Sequence, residues 1–167
     1  MSTTRERIRR HVQETPGVHQ SRLGRELDLA AGQLQYHLHR LRKDGAVTRE
    51  RVSGKTHYFP SGFDPWERRA TAFLRRETAR GIILRLHADG PATSAELAAE
   101  LDLARSTISW HVSKLVGHDI VEKSATTPME LSLRKPDRTA ELLDVVSPSL
   151  PERIVDRFIR TVDQLLE

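Results

Sequence analysis

Residues 23–30 have the sequence LGRELDLA, and residues 97–104 have the sequence LAAELDLA. The offset of 74 positions continues on both sides without a gap, so that Ile8 aligns with Ile82 and Val47 with Val121. Ten of the 42 aligned pairs from 8/82 to 49/123 are identical, and most other apolar positions are matched in kind. A shared helical periodicity explains some of these matches but not a shared turn between two helices. The chain therefore contains two copies of one small module.

The first copy predicts three helices followed by a β-hairpin. Leu34, Leu38 and Leu41 recur at helical spacing and form one apolar stripe, and Gly45 suits the left-handed end of that helix. The predicted elements are a helix ended by Pro16-Gly17, helices over about 20–27 and 31–44, and strands 46–52 and 56–59 around Ser53-Gly54-Lys55.

The second copy predicts the same order of elements. Thr93 and Glu96 form a capping box at its second helix, and Asp119 stands where the first copy has Gly45. Its hairpin has a tip at about 125–128. Three helices and a two-stranded wing are the plan of a winged helix-turn-helix, so we expect a mainly α fold with small β-wings (α+β).

The predicted organisation has four parts. These are a first winged helix-turn-helix (1–63), a connector helix (64–78), a second winged helix-turn-helix (79–136) and a C-terminal helical segment (137–167). The last segment has an apolar stripe that is too wide for a lone surface helix. Dimerisation is favoured over folding back on the second module as the way in which this stripe is buried. The stripe consists of Ile154, Val155, Phe158, Ile159, Val162, Leu165 and Leu166.

Composition and charge favour a polyanionic partner. The 167 residues carry a formal net charge of +4, and 22 of the 27 basic residues are Arg. Residues 1–63 have a net charge of +6, residues 64–136 of +1 and residues 137–167 of −3. The first module is therefore predicted to be the main docking surface for double-stranded DNA.

Several classes of protein and site are disfavoured. The chain has no Cys, which excludes disulfides, thiolate zinc sites and cysteine catalysis. It also has no apolar run of ~18 residues and no signal peptide at its start, so a cytoplasmic, nucleoid-associated protein without membrane contact is expected. No phosphate loop, nucleophile elbow or paired carboxylates point to an enzyme, and no cofactor is predicted.

In a helix-turn-helix, the third helix enters the major groove and the wing contacts phosphate or the minor groove. The side chains predicted to face DNA are those outside the apolar stripes, together with the basic residues of the first hairpin. In the first module they are Gln33, Gln35, Tyr36, His39, Arg40, Lys43, Arg49, Arg51, Lys55 and His57. In the second they are Arg105, Ser106, Thr107, Ser109, Trp110 and Lys114.

Residues 34–47, LQYHLHRLRKDGAV, resemble the segment from recognition helix to wing of ArsR/MarR-like winged-helix transcription regulators. Residues 108–121 resemble a second version, with Asp119 departing from the family's Gly, and the tandem arrangement is similar to that of haloarchaeal two-module regulators. The resemblance implies DNA binding as a homodimer and control of transcription. It implies base-facing roles for Gln33, Gln35 and Tyr36, and for Thr107, Ser109 and Trp110.

Other interpretations stay open at this level. His37 and His39 point about 200° apart on a helix, which favours packing or a wing hydrogen bond over metal binding for His37 and its equivalent, His111. Tyr36 and Trp110 lie at the edges of their stripes and fit the core or the DNA-facing surface equally well. The pairs Arg68-Arg69 and Arg75-Arg76 are expected on a solvated face rather than on phosphate.

Rival functions differ in their use of these basic side chains. Tandem winged helices also serve as protein-interaction scaffolds, and a non-specific chromatin protein would bind any duplex. A scaffold does not need basic residues clustered on one hairpin, so the first wing favours DNA binding.

Overall fold

The structure is a computed structural model that describes residues 2–150. Its first part consists of α1 (Thr4–Glu14), β1 (Val18–His19), α2 (Gln20–Leu27), α3 (Ala31–Lys43), β2 (Val47–Val52) and β3 (Lys55–Pro60). Its second part consists of α4 (Pro65–Leu74), α5 (Glu77–Asp89), α6 (Ser94–Leu101), α7 (Arg105–Gly117), β4 (Val121–Lys123), β5 (Leu131–Leu133) and α8 (Pro136–Val146), followed by a short 3₁₀ turn (Ser147–Ser149). The prediction of two winged helix-turn-helix modules is confirmed.

The turn that the two copies share has the same geometry in both. Asp28 and Asp102 are left-handed, with φ of 53° and 54°, and each ends the helix before the turn. Asp accepts this conformation better than most residues with a Cβ. Because both copies place Asp here, α2 meets α3 at the same type of turn at which α6 meets α7.

The ends of α3 and α7 also match. Gly45 and Asp119 have positive φ, of 75° and 62°. After each of them, a backbone N–H returns to the helix, from Ala46 to Leu41 and from Ile120 to Leu115, both at 3.0 Å. This closure starts each wing at the expected position, although Asp119 replaces glycine.

A short strand precedes α2 and was not predicted. Val18 and His19 of β1 pair antiparallel with Tyr58 and His57 of β3, giving a three-stranded sheet in the order β1-β3-β2. In the second module the equivalent contact is a single bridge between Ala92 and Leu131. Two residues are too few to show the alternation that marks a strand in sequence.

The predicted connector is two helices, and neither is a free spacer. Asp64 caps α4 and Pro65 occupies its first turn, as predicted. However, α4 ends at Leu74, and Arg76 begins a new helix as the N-cap of α5. The apolar side of α4 is buried in the core of the second module, where the indole Nε1 of Trp66 donates to the Asp119 carbonyl at 2.8 Å.

The first sheet lies between the two cores. Val47 and Tyr58 point into the core of the first module, beside α1 and α3. Val52 and Phe59, on the opposite face, belong to the core that contains α4 and α5. The wing of the first module is therefore anchored on one face by its own helices and on the other by the second module.

The start of the predicted C-terminal segment also packs on this second core. Leu142 and Val146 of α8 are buried there. The seven residues predicted for dimerisation, Ile154 to Leu166, lie outside the described residues. Within residues 2–150, no helix has both the length and the apolar character needed to cross a membrane.

Candidate nucleic-acid interface

Helix α3 separates a buried stripe from an exposed polar face. Leu34, Leu38 and Leu41 are 1–4% exposed in the core. This burial fixes the rotation of the helix about its axis and turns the remaining side chains outward. Those exposed are the six α3 residues predicted to face DNA, Gln33, Gln35, Tyr36, His39, Arg40 and Lys43.

The first wing presents two arginines on the same side as α3. Arg49 is paired with Tyr58 across the ladder, and Arg51 is paired with Thr56. Side chains alternate along a strand, so both arginines share the sheet face of Val47, which points toward α3. Both are exposed, as is Lys55 at the hairpin turn. The turn is tight because Ser53 and Gly54 both have positive φ.

His57 was predicted to contact DNA, and the structure contradicts this. Its side chain is 2% exposed on the opposite face of the sheet, where Nδ1 donates to the Gly17 carbonyl at 2.8 Å. Burial lowers the pKa of His57 to about 4, assisted by the charge of Arg76. The imidazole is therefore neutral near pH 7 and holds the sheet to the turn that follows α1.

The paired arginines of the connector lie on neither a solvated face nor a phosphate-binding surface. Arg75 donates twice to the Pro16 carbonyl, at 2.9 and 2.8 Å, and burial lowers its pKa to about 10. Arg76 donates to the Val52 carbonyl, and Arg68 pairs with Glu50 at 2.9 Å. Three of the four thus bind the first module, and the fourth, Arg69, reaches the His118 carbonyl at 3.5 Å.

Helix α7 has a weaker positive charge on its outer face. Arg105, Ser106, Ser109 and Trp110 are exposed, whereas Thr107 and Lys114 are partly buried. The Lys114 ammonium lies 4.8 Å from the centre of the Trp110 ring, in a cation–π contact. The predicted residues are thus accessible, but their face is mostly hydroxyl and aromatic.

The two aromatic residues that the sequence placed equally well in the core or on the DNA-facing side both lie on the surface. Tyr36 is 56% exposed and Trp110 is 57% exposed. Each contacts the next residue edge to face, His37 at 5.3 Å and His111 at 4.9 Å between ring centres. The two histidines therefore pack against aromatic rings, and no hydrogen bond to a wing is seen for either of them within residues 2–150.

The N-termini of α3 and α7 share a feature that the sequence analysis missed. Each follows an alanine, Ala30 or Ala104, and no side chain caps the first N–H groups. An uncapped helix N-terminus favours an anion such as phosphate, because free N–H groups and the helix dipole point toward it.

A cleft between α3 and the first wing was also not predicted. It has a volume of about 530 Å³ and is open to solvent beside Gln35 and Tyr36. Its polar lining includes Arg42, which is half-buried and was absent from the predicted set. Among residues 2–150, no cluster of three or more His, Asp or Glu side chains could hold a metal ion.

Comparisons with known proteins agree with the duplicated fold. Residues 2–71 match a family described as an N-terminal HTH domain, and residues 74–124 match a family described as a helix-turn-helix domain. A curated protein named as an uncharacterized HTH-type transcriptional regulator, MJ1398 of Methanocaldococcus jannaschii, is 25% identical over 122 residues. The match covers 73% of this chain and 31% of that protein, so the chain spans about a third of the curated relative's length.

Two sets of solved structures are similar in part. Reduced and overoxidized AbfR, both bound to DNA, are 14% identical, with TM-scores of 0.41 over 82% of this chain and 94% of theirs. A cysteine-to-serine mutant of Lactococcus lactis ZitR is 17% identical, with a TM-score of 0.33 over 82% of this chain and 97% of its own. Together, the two domain matches and the repeated three-helix-and-wing fold show that the chain contains two winged helix-turn-helix domains in tandem.

Proposed function

We propose that the protein is a DNA-binding transcription regulator whose first module is the principal reader. The observation that carries the proposal is the common exposure of the α3 face and of the wing arginines Arg49 and Arg51 on one side of the molecule. A helix of this kind fits the major groove, and the adjacent wing reaches the phosphate backbone. The name of the curated relative is consistent with this role.

Within α3, the proposed base readers are Gln33, Gln35 and Tyr36. Glutamine can donate to and accept from adenine in the major groove, and an exposed aromatic ring can contact a thymine methyl group. His39, Arg40 and Lys43 continue the exposed face toward the end of the helix. We assign these three residues to contacts with the DNA backbone, which position the protein without reading the base sequence.

The second module is proposed to add affinity or a second half-site. Arg105 and the hydroxyls of Ser106, Thr107 and Ser109 are suited to phosphate or base edges, and Trp110 and Lys114 extend that face. A protein-interaction role is the second candidate for this module, because Trp110 is the most exposed large hydrophobic residue among those that the structure describes.

The protein is further proposed to act as a homodimer at the nucleoid, since two-fold symmetry lets helix-turn-helix proteins bind two half-sites. Sedimentation of the full chain should give a dimer, and removal of residues 151–167 should give monomers. A dimer that persists after this truncation would move the interface elsewhere.

Selection from a random duplex library tests the regulator proposal directly. The full chain should enrich a defined sequence. Gln35→Ala should reduce the binding preference for the correct base at one position of that sequence by ~1–3 kcal/mol. Arg9→Ala, on the exposed side of α1, is the matched surface control. Equal binding to all sequences would favour a chromatin protein, and no binding in dilute buffer would leave the scaffold role.

A further inference from the structure

The cleft between α3 and the first wing combines two positive charges with a buried hydroxyl. Arg42 lines it from α3 and Arg49 from β2, and the polar lining also includes Tyr58, Gln20 and His39. The cleft opens on the side of α3 that carries Gln35 and Tyr36. A duplex read by α3 would therefore bring its backbone past this opening.

The two arginines face the cleft without a negative partner. Within residues 2–150 neither guanidinium forms an ion pair, and no carboxylate lines the cleft. Guanidinium groups bind phosphate through two parallel N–H donors, which single ammonium groups cannot do. Two unpaired guanidinium groups at one cleft therefore favour a bound oxyanion.

Tyr58 serves as the fixed floor of the cleft. Its ring is 3% exposed in the first core, and its hydroxyl donates to Gln20 Oε1 at 3.2 Å. Burial raises the pKa of Tyr58, and the charges of Arg49 and Arg42 oppose that rise. Tyr58 lines the same cleft as both arginines, and the Gln20 amide nitrogen remains a further donor.

The second module shows that the fold does not require these side chains. At the repeat offset, Arg42 corresponds to Val116, Arg49 to Lys123 and Gln20 to Ser94. Tyr58 corresponds to Leu131, because each pairs with the segment that precedes the second helix of its module. Valine and leucine support the same fold, so the Arg–Tyr group of the first module has another use.

We propose that this cleft is an oxyanion site for one backbone phosphate of bound DNA, with Arg42 and Arg49 as its direct ligands. The inference rests on the proposed function and deepens it, because it adds Arg42 to the interface.

The test measures the salt dependence of duplex binding by the full chain and by Arg42→Val. We expect the variant to bind about tenfold more weakly at 0.1 M salt and to lose about one unit of the slope of log K against log salt. Its base preference should not change. Arg9→Ala removes one exposed charge outside the cleft and should keep the wild-type slope.

The residue Val116 of the second module indicates that Arg42→Val will fold, and thermal unfolding checks this. If it does not, Arg42→Gln removes the charge and keeps the side-chain length. A duplex with a neutral methylphosphonate at each backbone position in turn locates the contact. At one position the methylphosphonate should weaken wild-type binding clearly more than it weakens binding by the Arg42 variant, which keeps only the Arg49 contact there.

The outcomes separate this inference from the proposed function. If the wild-type protein binds a defined duplex, and Arg42→Val or Arg42→Gln has the wild-type slope of log K against log salt, the inference is wrong and the regulator proposal stands. If inorganic phosphate competes beyond chloride at equal ionic strength, and no methylphosphonate position is selective, the cleft holds a free anion and the inference is again wrong. Absence of wild-type binding to any duplex overturns both.

Discussion

His57 shows how burial changes the role of a side chain that sequence assigns to the surface. Its place on the first hairpin among basic residues favours a phosphate contact, but α4 and α5 cover this face of the sheet. With Nδ1 donating to Gly17, the neutral ring presents Nε2 to Arg76, whose Nη2 lies 3.4 Å away. No pattern within the wing itself indicates that cover, which depends on contacts with distant residues.

The buried His57 should make the fold sensitive to mild acid. Its pKa is 6.5 in the unfolded chain and about 4 in the folded chain, so the unfolded state binds more protons between these pH values. Stability should therefore be lost as the pH falls from 6.5 toward 4, by up to about 3 kcal/mol. His57→Asn keeps a donor for Gly17 and should show a shallower decline in urea unfolding. Identical pH profiles would contradict this role.

The left-handed residues after α3 and α7 allow a reciprocal exchange. Asp119 has a φ of 62°, which glycine adopts without strain, and its ion pair with Arg134 at 3.7 Å is largely exposed. Asp119→Gly should raise the free energy of unfolding by about 1 kcal/mol. Gly45→Asp should lower the free energy of unfolding by a similar amount. The cost is backbone strain alone, because a Cβ at this position meets no atom within 4 Å and adds no clash. Urea titrations in which the two substitutions do not change the free energy of unfolding in opposite directions would refute this.

At the scale of elements, the helices follow the sequence closely. The second helix was predicted over 20–27 and is Gln20–Leu27; the third was predicted over 31–44 and is Ala31–Lys43. Repeated apolar spacing and the shared Asp turn determine these bounds locally. By contrast, β1 and the cleft beside α3 depend on the pairing of segments some 40 residues apart, which no local signal reports.

The wing should contribute affinity rather than selectivity. Arg49, Arg51 and Lys55 are exposed, and each phosphate contact adds about one unit to the salt slope. Replacing all three with Ala should weaken binding to every duplex and flatten the slope by up to about three units. Fluorescence anisotropy at several salt concentrations measures both quantities. Unchanged slopes would remove the wing from the interface, and a changed base preference would assign it to readout.

For the whole molecule, the central feature is a sheet shared between the two modules. Val52 and Phe59 lie in the second core, and Arg75 and Arg76 donate to carbonyls of the first module. The duplication and the net charge of each module follow from the sequence. The sequence does not show that α4 packs in the second core, because an apolar stripe shows that a helix is buried without showing what covers it.

Arg75 should stabilise this junction. It provides two N–H donors to Pro16 from a buried position, so its loss leaves a carbonyl without a partner. Arg75→Met keeps much of the packing and should lower the free energy of unfolding by about 1–3 kcal/mol. Arg10→Met, at an exposed position of α1, is the control and should have little effect. Equal urea midpoints for the two variants would show that the junction does not depend on Arg75.

The most direct measurement is an amide correlation spectrum of the full, isotope-labelled chain during titration with a duplex chosen by selection. The largest shift changes should fall on α3 and on strands β2 and β3, with smaller changes on α7. Changes confined to other surfaces, or no change with any duplex in dilute buffer, would contradict the assignment of the first module as the DNA reader.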